Sequence, residues 1–139
     1  MSKDSSQPPA SLASWVDDAF EKIFFQSDNE VSTEAFGKFI SPSFSARINI
    51  NKLTHAQFLS AVKSAREEFT FTRESSVETL TWEKSDGSGA GSVAQVGKFL
   101  QVNKQNGEST RVTSVTVATV GIEDGQRVLL ELAEISKEC

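Results

Sequence analysis

The chain has 139 residues, 37% hydrophobic and 24% charged, enough for one domain with a real core. Its formal net charge of −5 argues against the concentrated basic surface that nucleic acid requires. No stretch approaches the roughly 20 apolar residues that cross a bilayer, so no membrane contact is expected.

The first ten residues, MSKDSSQPPA, lack the apolar stretch of a signal peptide and read as a disordered tail, leaving a single domain over residues 11–139. The lone cysteine, Cys139, permits no internal disulfide, which fits a cytoplasmic setting. With one histidine, His55, it offers no metal-ligand spacing, and no cofactor is implied.

From Ser11 to Gln26, Leu12, Trp15, Val16, Ala19, Phe20, Ile23 and Phe24 recur at helical spacing, with Asp17, Asp18, Glu21 and Lys22 opposite them. A second, short helix is predicted with Ser32 as its N-cap and Phe36, Phe39 and Ile40 buried, ending at Ser41-Pro42. Ser43 to Ile50 alternates as a half-buried strand. Thr54 and Gln57 form a capping box for a third helix, which buries Phe58, Leu59, Val62, Ala65 and Phe69 and leaves Arg66, Glu67 and Glu68 to solvent.

Phe69 to Lys84 changes parity midway, and a bulge near Ser75-Ser76 would reconcile its halves. Ser85 to Ser92 has neither the lysine nor the strand-to-helix context of a phosphate loop and is read as a connection. Val93 to Ile135 then gives three strands joined at Asn106-Gly107 and Asp124-Gly125, the turn chemistry of an antiparallel meander. In the last strand Val128, Leu130 and Leu132 alternate against Arg127, Leu129, Glu131 and Ala133. Glu131 is then either exposed or held in a cavity. On the middle strand, Val115 and Val117 oppose Val112, Ser114, Thr116, Ala118 and Val120, so both faces are mildly apolar, as in a strand covered on both sides.

This order of elements, with Phe36 to Val62 (FGKFISPSFSARININKLTHAQFLSAV) as its most suggestive piece, resembles the nuclear transport factor 2-like superfamily, which includes SnoaL-like polyketide cyclases, ketosteroid isomerase and scytalone dehydratase. The resemblance covers Leu12 to Ile135. It implies an α+β fold of order α-α-β-α-β-β-β-β, whose strongly curved, mostly antiparallel sheet wraps around the N-terminal helices and encloses a cone-shaped cavity. It also implies a homodimer through the outer sheet face. Some relatives carry out isomerase, dehydratase, cyclase or epoxide-hydrolase chemistry in the cavity, and others only bind ligands or partner proteins.

The enzymes of that superfamily use a strand carboxylate as base and a Tyr, a His or a protonated acid to polarise the substrate. The present chain has no tyrosine, and no aspartate falls within a predicted strand. Where ketosteroid-isomerase-like relatives carry an aspartate, Arg47 and Asn49 stand. The catalytic candidates reduce to Glu131 as general base and His55, which also reads as an ordinary surface residue at a helix start.

The expected function is therefore a non-catalytic domain that binds a small hydrophobic ligand. Trp15, Phe20, Phe36, Phe39, Phe71 and Trp82 would form the wall, and Arg47 and Asn49 the polar anchors. The alternatives are a SnoaL-like isomerase, dehydratase or cyclase using Glu131, and a protein–protein assembly module. Ten phenylalanines without a tyrosine suit a dry wall, because no ring needs a hydrogen-bond partner.

Overall fold

A computed structural model describes residues 10–138; Cys139 and residues 1–9 of the expected tail lie outside them. The elements run α1 (Leu12–Phe24), α2 (Asn29–Phe39), β1 (Ile40–Ile48), β2 (Asn51–Thr54), α3 (His55–Glu68), β3 (Phe69–Glu83), β4 (Gly91–Asn103), β5 (Ser109–Glu123) and β6 (Gln126–Glu138). The α+β class and the order of helices and strands are as expected, with the four-residue β2 added after β1. The six strands form one sheet in the order β2-β1-β6-β5-β4-β3. Every pairing is antiparallel except β1 with β6, which run parallel.

The helices cover one side of this sheet. Leu12, Val16, Ala19, Phe20 and Ile23 of α1 are buried, as their spacing requires. The capping box of α3 forms as read: Gln57 N donates to Thr54 Oγ1 at 3.2 Å, and Thr54 N donates to Gln57 Oε1 at 2.9 Å. It aims Phe58 into the core, 4.9 Å from Phe44 and 5.9 Å from Phe36 between ring centroids.

Local structure departs from the sequence reading at several points. Asp28, not Ser32, caps α2; its Oδ1 accepts from the Glu30 and Val31 amides, and a carboxylate there also complements the helix dipole. Ser32 lies inside α2 and donates from its hydroxyl to the Ile23 carbonyl at 2.7 Å. Strand β1 begins directly at Ile40 and passes through Pro42; the shift in register against β6 between Ile40 and Ser45 lets the sheet tolerate the missing amide hydrogen. Arg66 is buried rather than solvated. It donates to the Ile23 and Phe24 carbonyls and to Asn29 Oδ1, satisfying acceptors at the C-terminal end of α1 that the helix cannot.

β3 carries the expected bulge, between Arg73 and Ser75, and a second one between Glu78 and Leu80. A third register break separates Thr119 and Val120, where β5 meets β6. Leu129 pairs with Val120 and Glu131 with Thr119, so Leu130 is the extra residue. Parity on β6 changes there: Leu129 and Leu132 both face the helices and are buried, although three positions apart.

Gly91 on β4 stands against both β3 and α1. A β-carbon there would collide with the Trp82 carbonyl oxygen and meet Leu12 Cδ2 at 2.8 Å. The carbonyl belongs to a paired strand and cannot move aside. Gly91→Ala is expected to lower stability by about 1–3 kcal/mol, an overpacking cost, read as a drop in the denaturation midpoint at unchanged slope.

Candidate functional site

Three cross-strand rows on the helix-facing side of the sheet create the site. The first, Val93–Ala118–Leu132–Ala46–Leu53, is apolar and packs under the helices. The next, Gln95–Thr116–Glu134–Ile48–Asn51, crosses five strands and carries a polar side chain on each of them except β1. The third, Ser76–Gly97–Ser114–Ser136, is small. Small and polar side chains do not fill the space beneath the helices, and a cavity of about 430 Å³ lies over the second and third rows.

The helices supply its apolar wall. Phe20, Phe24 and Phe25 come from α1 and its C-cap, and Phe58, Val62 and Ala65 from α3. Phe71 and Phe99 enter from β3 and β4, their rings crossing nearly at right angles with centroids 6.0 Å apart. Arg73 lies over the Phe25 ring at 4.6 Å and reaches Glu21 at 3.7 Å, so a partly buried cation closes one side.

Glu134 is the acidic residue lining this cavity. Its carboxyl is half-buried, and loss of solvation raises its pKa above the ordinary glutamate value of 4.5, while a hydrogen bond from the Ser136 side chain pulls it back. The backbone around it is held from a second strand. Asn49, in the left-handed region at φ 56°, donates its amide to the Glu134 carbonyl at 2.7 Å. Asn49 Oδ1 accepts from the Ser136 amide at 3.0 Å. The turn between β1 and β2 thereby fixes the two peptide groups that follow Glu134.

The residues singled out from the sequence are dispersed. Phe20 and Phe71 line the cavity. Phe36 and Phe39 are buried in the core outside its lining, and Trp15 is half-buried with Phe39 edge-on at 5.5 Å. Trp82 is 63% exposed and faces away from the helices. Arg47 is exposed, since its neighbour Ala46 takes the inward position, and Asn49 holds β6 as described. His55 sits edge-on to Phe36 at 5.3 Å and does not line the cavity. Glu131 is exposed on the opposite side of the sheet, because the Leu130 bulge gives the inward place to Leu132 and then Glu134.

Gln95 and Glu134 were the residues missed. In β4 the alternation Ala94–Val96 against Gln95–Gly97 suggests that Ala94 and Val96 face inward, yet Gln95 is buried at 4% exposure and Ala94 and Val96 face out. The run Val128-Leu129-Leu130 was the available signal on β6, because three successive apolar residues fit neither parity without a bulge. Among the described residues no group of three or more His, Cys, Asp or Glu side chains could hold a metal ion.

No protein-family model matches the sequence, and no curated protein does. Solved structures do match over nearly its whole length. A conserved protein from Planctomyces limnophilus DSM 3776 superposes with a TM-score of 0.70 at 8% identity, covering 90% of this chain and 89% of that one. A type 2 hexachlorocyclohexane dehydrochlorinase gives 0.65 at 12% identity, over 92% and 90% of the two chains. A protein from Shewanella denitrificans OS-217 described as a SnoaL-like polyketide cyclase gives 0.63 at 10% identity, over 91% and 90%. The chain has the nuclear transport factor 2-like fold. At such identities the likeness concerns the fold, and the nuclear transport factor 2-like scaffold hosts unlike functions, so the cavity residues must carry the functional argument.

The raised pKa of Glu134 has a measurable consequence. Its proton is held more tightly in the folded than in the unfolded chain. The stabilisation is therefore full below the ordinary glutamate range and is lost as pH rises through the folded-state value. Glu134→Gln should raise the unfolding midpoint at about pH 8, with the gain fading toward about pH 4, where wild-type Glu134 is also neutral. Denaturation curves across that range check it.

Proposed function

We propose that the domain binds a small, largely apolar molecule in the 430 Å³ cavity, with Glu134 as the group that exchanges a proton or hydrogen bond with it. The single observation that carries this reading is the juxtaposition of a phenylalanine wall with a polar row whose carboxyl is desolvated. A volume of this size lies within the range of small-molecule sites, and apolar walls with a few convergent polar groups are their usual make-up.

Ala65 lies on the α3 wall, where a larger ring would project into the space. Wild-type protein should bind 8-anilinonaphthalene-1-sulfonate or 2-naphthol with a saturable fluorescence change, and Ala65→Phe should weaken that binding at least tenfold while keeping the far-ultraviolet circular dichroism spectrum. Undiminished binding in the variant would place the probe elsewhere.

A catalytic reading, in which Glu134 transfers a proton as in an isomerase, dehydratase or cyclase, is favoured by one further feature. A carboxyl with raised pKa in a cavity suits general acid–base work. Structural neighbours include a putatively named isomerase of the SnoaL-like family from Agrobacterium tumefaciens C58 as well as the dehydrochlorinase. Among the described residues Glu134 is the sole carboxylate lining the cavity and no histidine lines it to relay a proton, so binding is the preferred reading.

The outer sheet face supports an assembly role beside the pocket. Val77–Val96–Val115–Ile135 form one cross-strand row and Leu80–Ala94–Val117–Ala133 the next. Val77, Leu80, Val115, Val117 and Ile135 are 43–71% exposed, with Trp82 beside them. A continuous apolar strip across four strands is costly to leave in water, and a second copy could cover it symmetrically. The protein should run as a dimer in light scattering at micromolar concentration, and Val117→Glu should convert it to monomer. A monomeric wild type would reject the pairing. We also propose a cytoplasmic setting, supported by a lone cysteine, Cys139, that permits no internal disulfide. No helix among the described residues is long and apolar enough to cross a membrane.

A further inference from the structure

Asp17 lies on the polar face of α1, yet it is a point where α1 grips the sheet. Its Oδ1 accepts from Gln95 Nε2 at 2.9 Å and from the Ser76 hydroxyl at 2.9 Å, and Arg73 Nη2 donates to the Asp17 carbonyl at 3.2 Å. Three elements, α1, β3 and β4, meet on one side chain.

This clamp fixes which end of the Gln95 amide faces the cavity. An amide has a donor end and an acceptor end of nearly equal size, but a carboxylate only accepts. The nitrogen must therefore face Asp17, and the carbonyl oxygen must point the other way. Gln95 is 4% exposed and lines the cavity, and among the described residues its Oε1 accepts no hydrogen bond. Among the described residues no fully buried polar side-chain atom lacks a partner. Oε1 therefore opens onto the cavity. The Thr116 hydroxyl, next in the row and equally without a side-chain partner, opens there too.

We propose that Gln95 is the specificity-determining residue of this pocket, its carbonyl oxygen turned inward by Asp17 so that it selects an apolar ring compound carrying an O–H or N–H donor. The inference rests on the ligand-binding reading above and names the ligand's chemistry. A ligand without a donor leaves a desolvated carbonyl unpaired when it excludes water, a cost larger than the net value of the bond itself. The preference extends along the row. β4 and β6 are two strand spacings apart, roughly 10 Å, so a molecule of two fused rings spans from Gln95 toward Glu134.

The test compares 2-naphthol with 2-methoxynaphthalene, which differ in the donor hydrogen, by fluorescence titration of the full chain. Wild type should prefer 2-naphthol by about tenfold, equivalent to roughly 1.4 kcal/mol. Gln95→Met keeps the length and removes the acceptor. It should bring the two probes within about threefold of each other, chiefly by weakening 2-naphthol. Asp17→Asn leaves an amide that can donate or accept, which frees Gln95 to turn over, so discrimination should fall while 2-methoxynaphthalene binds as before or tighter. Should Gln95→Met fail to fold, the Asp17→Asn comparison decides alone.

A wild type indifferent to the donor overturns this assignment while leaving the pocket standing, as does a preference that survives both substitutions. If neither probe binds wild type, the ligand-binding reading itself falls.

Discussion

Everything about this cavity depends on the parity of β6. The strand lies between β1 and β5, in the middle of the sheet, and one inserted residue, Leu130, decides which side chains of its second half face the helices. With the bulge, Leu132 supports the core, Glu134 enters the cavity and Ser136 hydrogen-bonds to it. Without it, Glu131, Ala133 and Ile135 would point inward and the carboxyl would meet packed helices instead of open space. Gly121 on β5 has no side chain at the place where Leu130 packs, so the insertion is accommodated by its neighbour's backbone.

The two sides of the site follow different rules. Its apolar side is built by helices whose phenylalanines are positioned from a few fixed points: the Thr54–Gln57 box sets Phe58, and Arg66 ties the end of α1, where Phe24 and Phe25 lie, to α3. The polar side is built by the sheet, and its Gln95 and Glu134 are each held by partners on neighbouring positions of the fold. Asp17 turns Gln95, Ser136 restrains Glu134, and Asn49 holds the β6 backbone. Such support is what keeps a small number of polar groups in one geometry.

Helices were readable because they bury one continuous stripe, and Leu12 to Phe24 needs no tertiary information to declare itself. The meander was readable from its turns; Asp124 and Gly125 have the positive φ angles that their dipeptide suggests. Cavity residues were harder for a physical reason. Strand faces are inferred by assuming that apolar means inward, and here β4 and β5 present Gln95, Ser114 and Thr116 inward while Val96, Val115 and Val117 face out. An unfilled interior on one side and an apolar outer surface on the other invert the usual signal. Arg66 and Asp17 misled for a related reason: each sits on a polar helix face, but each finds its partners across the fold rather than in solvent.

The parallel pairing of β1 with β6 joins segments on the order of 85–90 positions apart, and all of α3, β3, β4 and β5 lies between them. Contacts this distant in sequence are entropically slow to close. On a ribosome, β1 and β5 would each wait with an open edge until β6 arrived to fill the gap between them. The residue that gives the cavity its proton-holding group is carried by that late strand, so an immature chain would have neither the pocket nor a closed sheet, and its exposed edges would be natural targets for a chaperone.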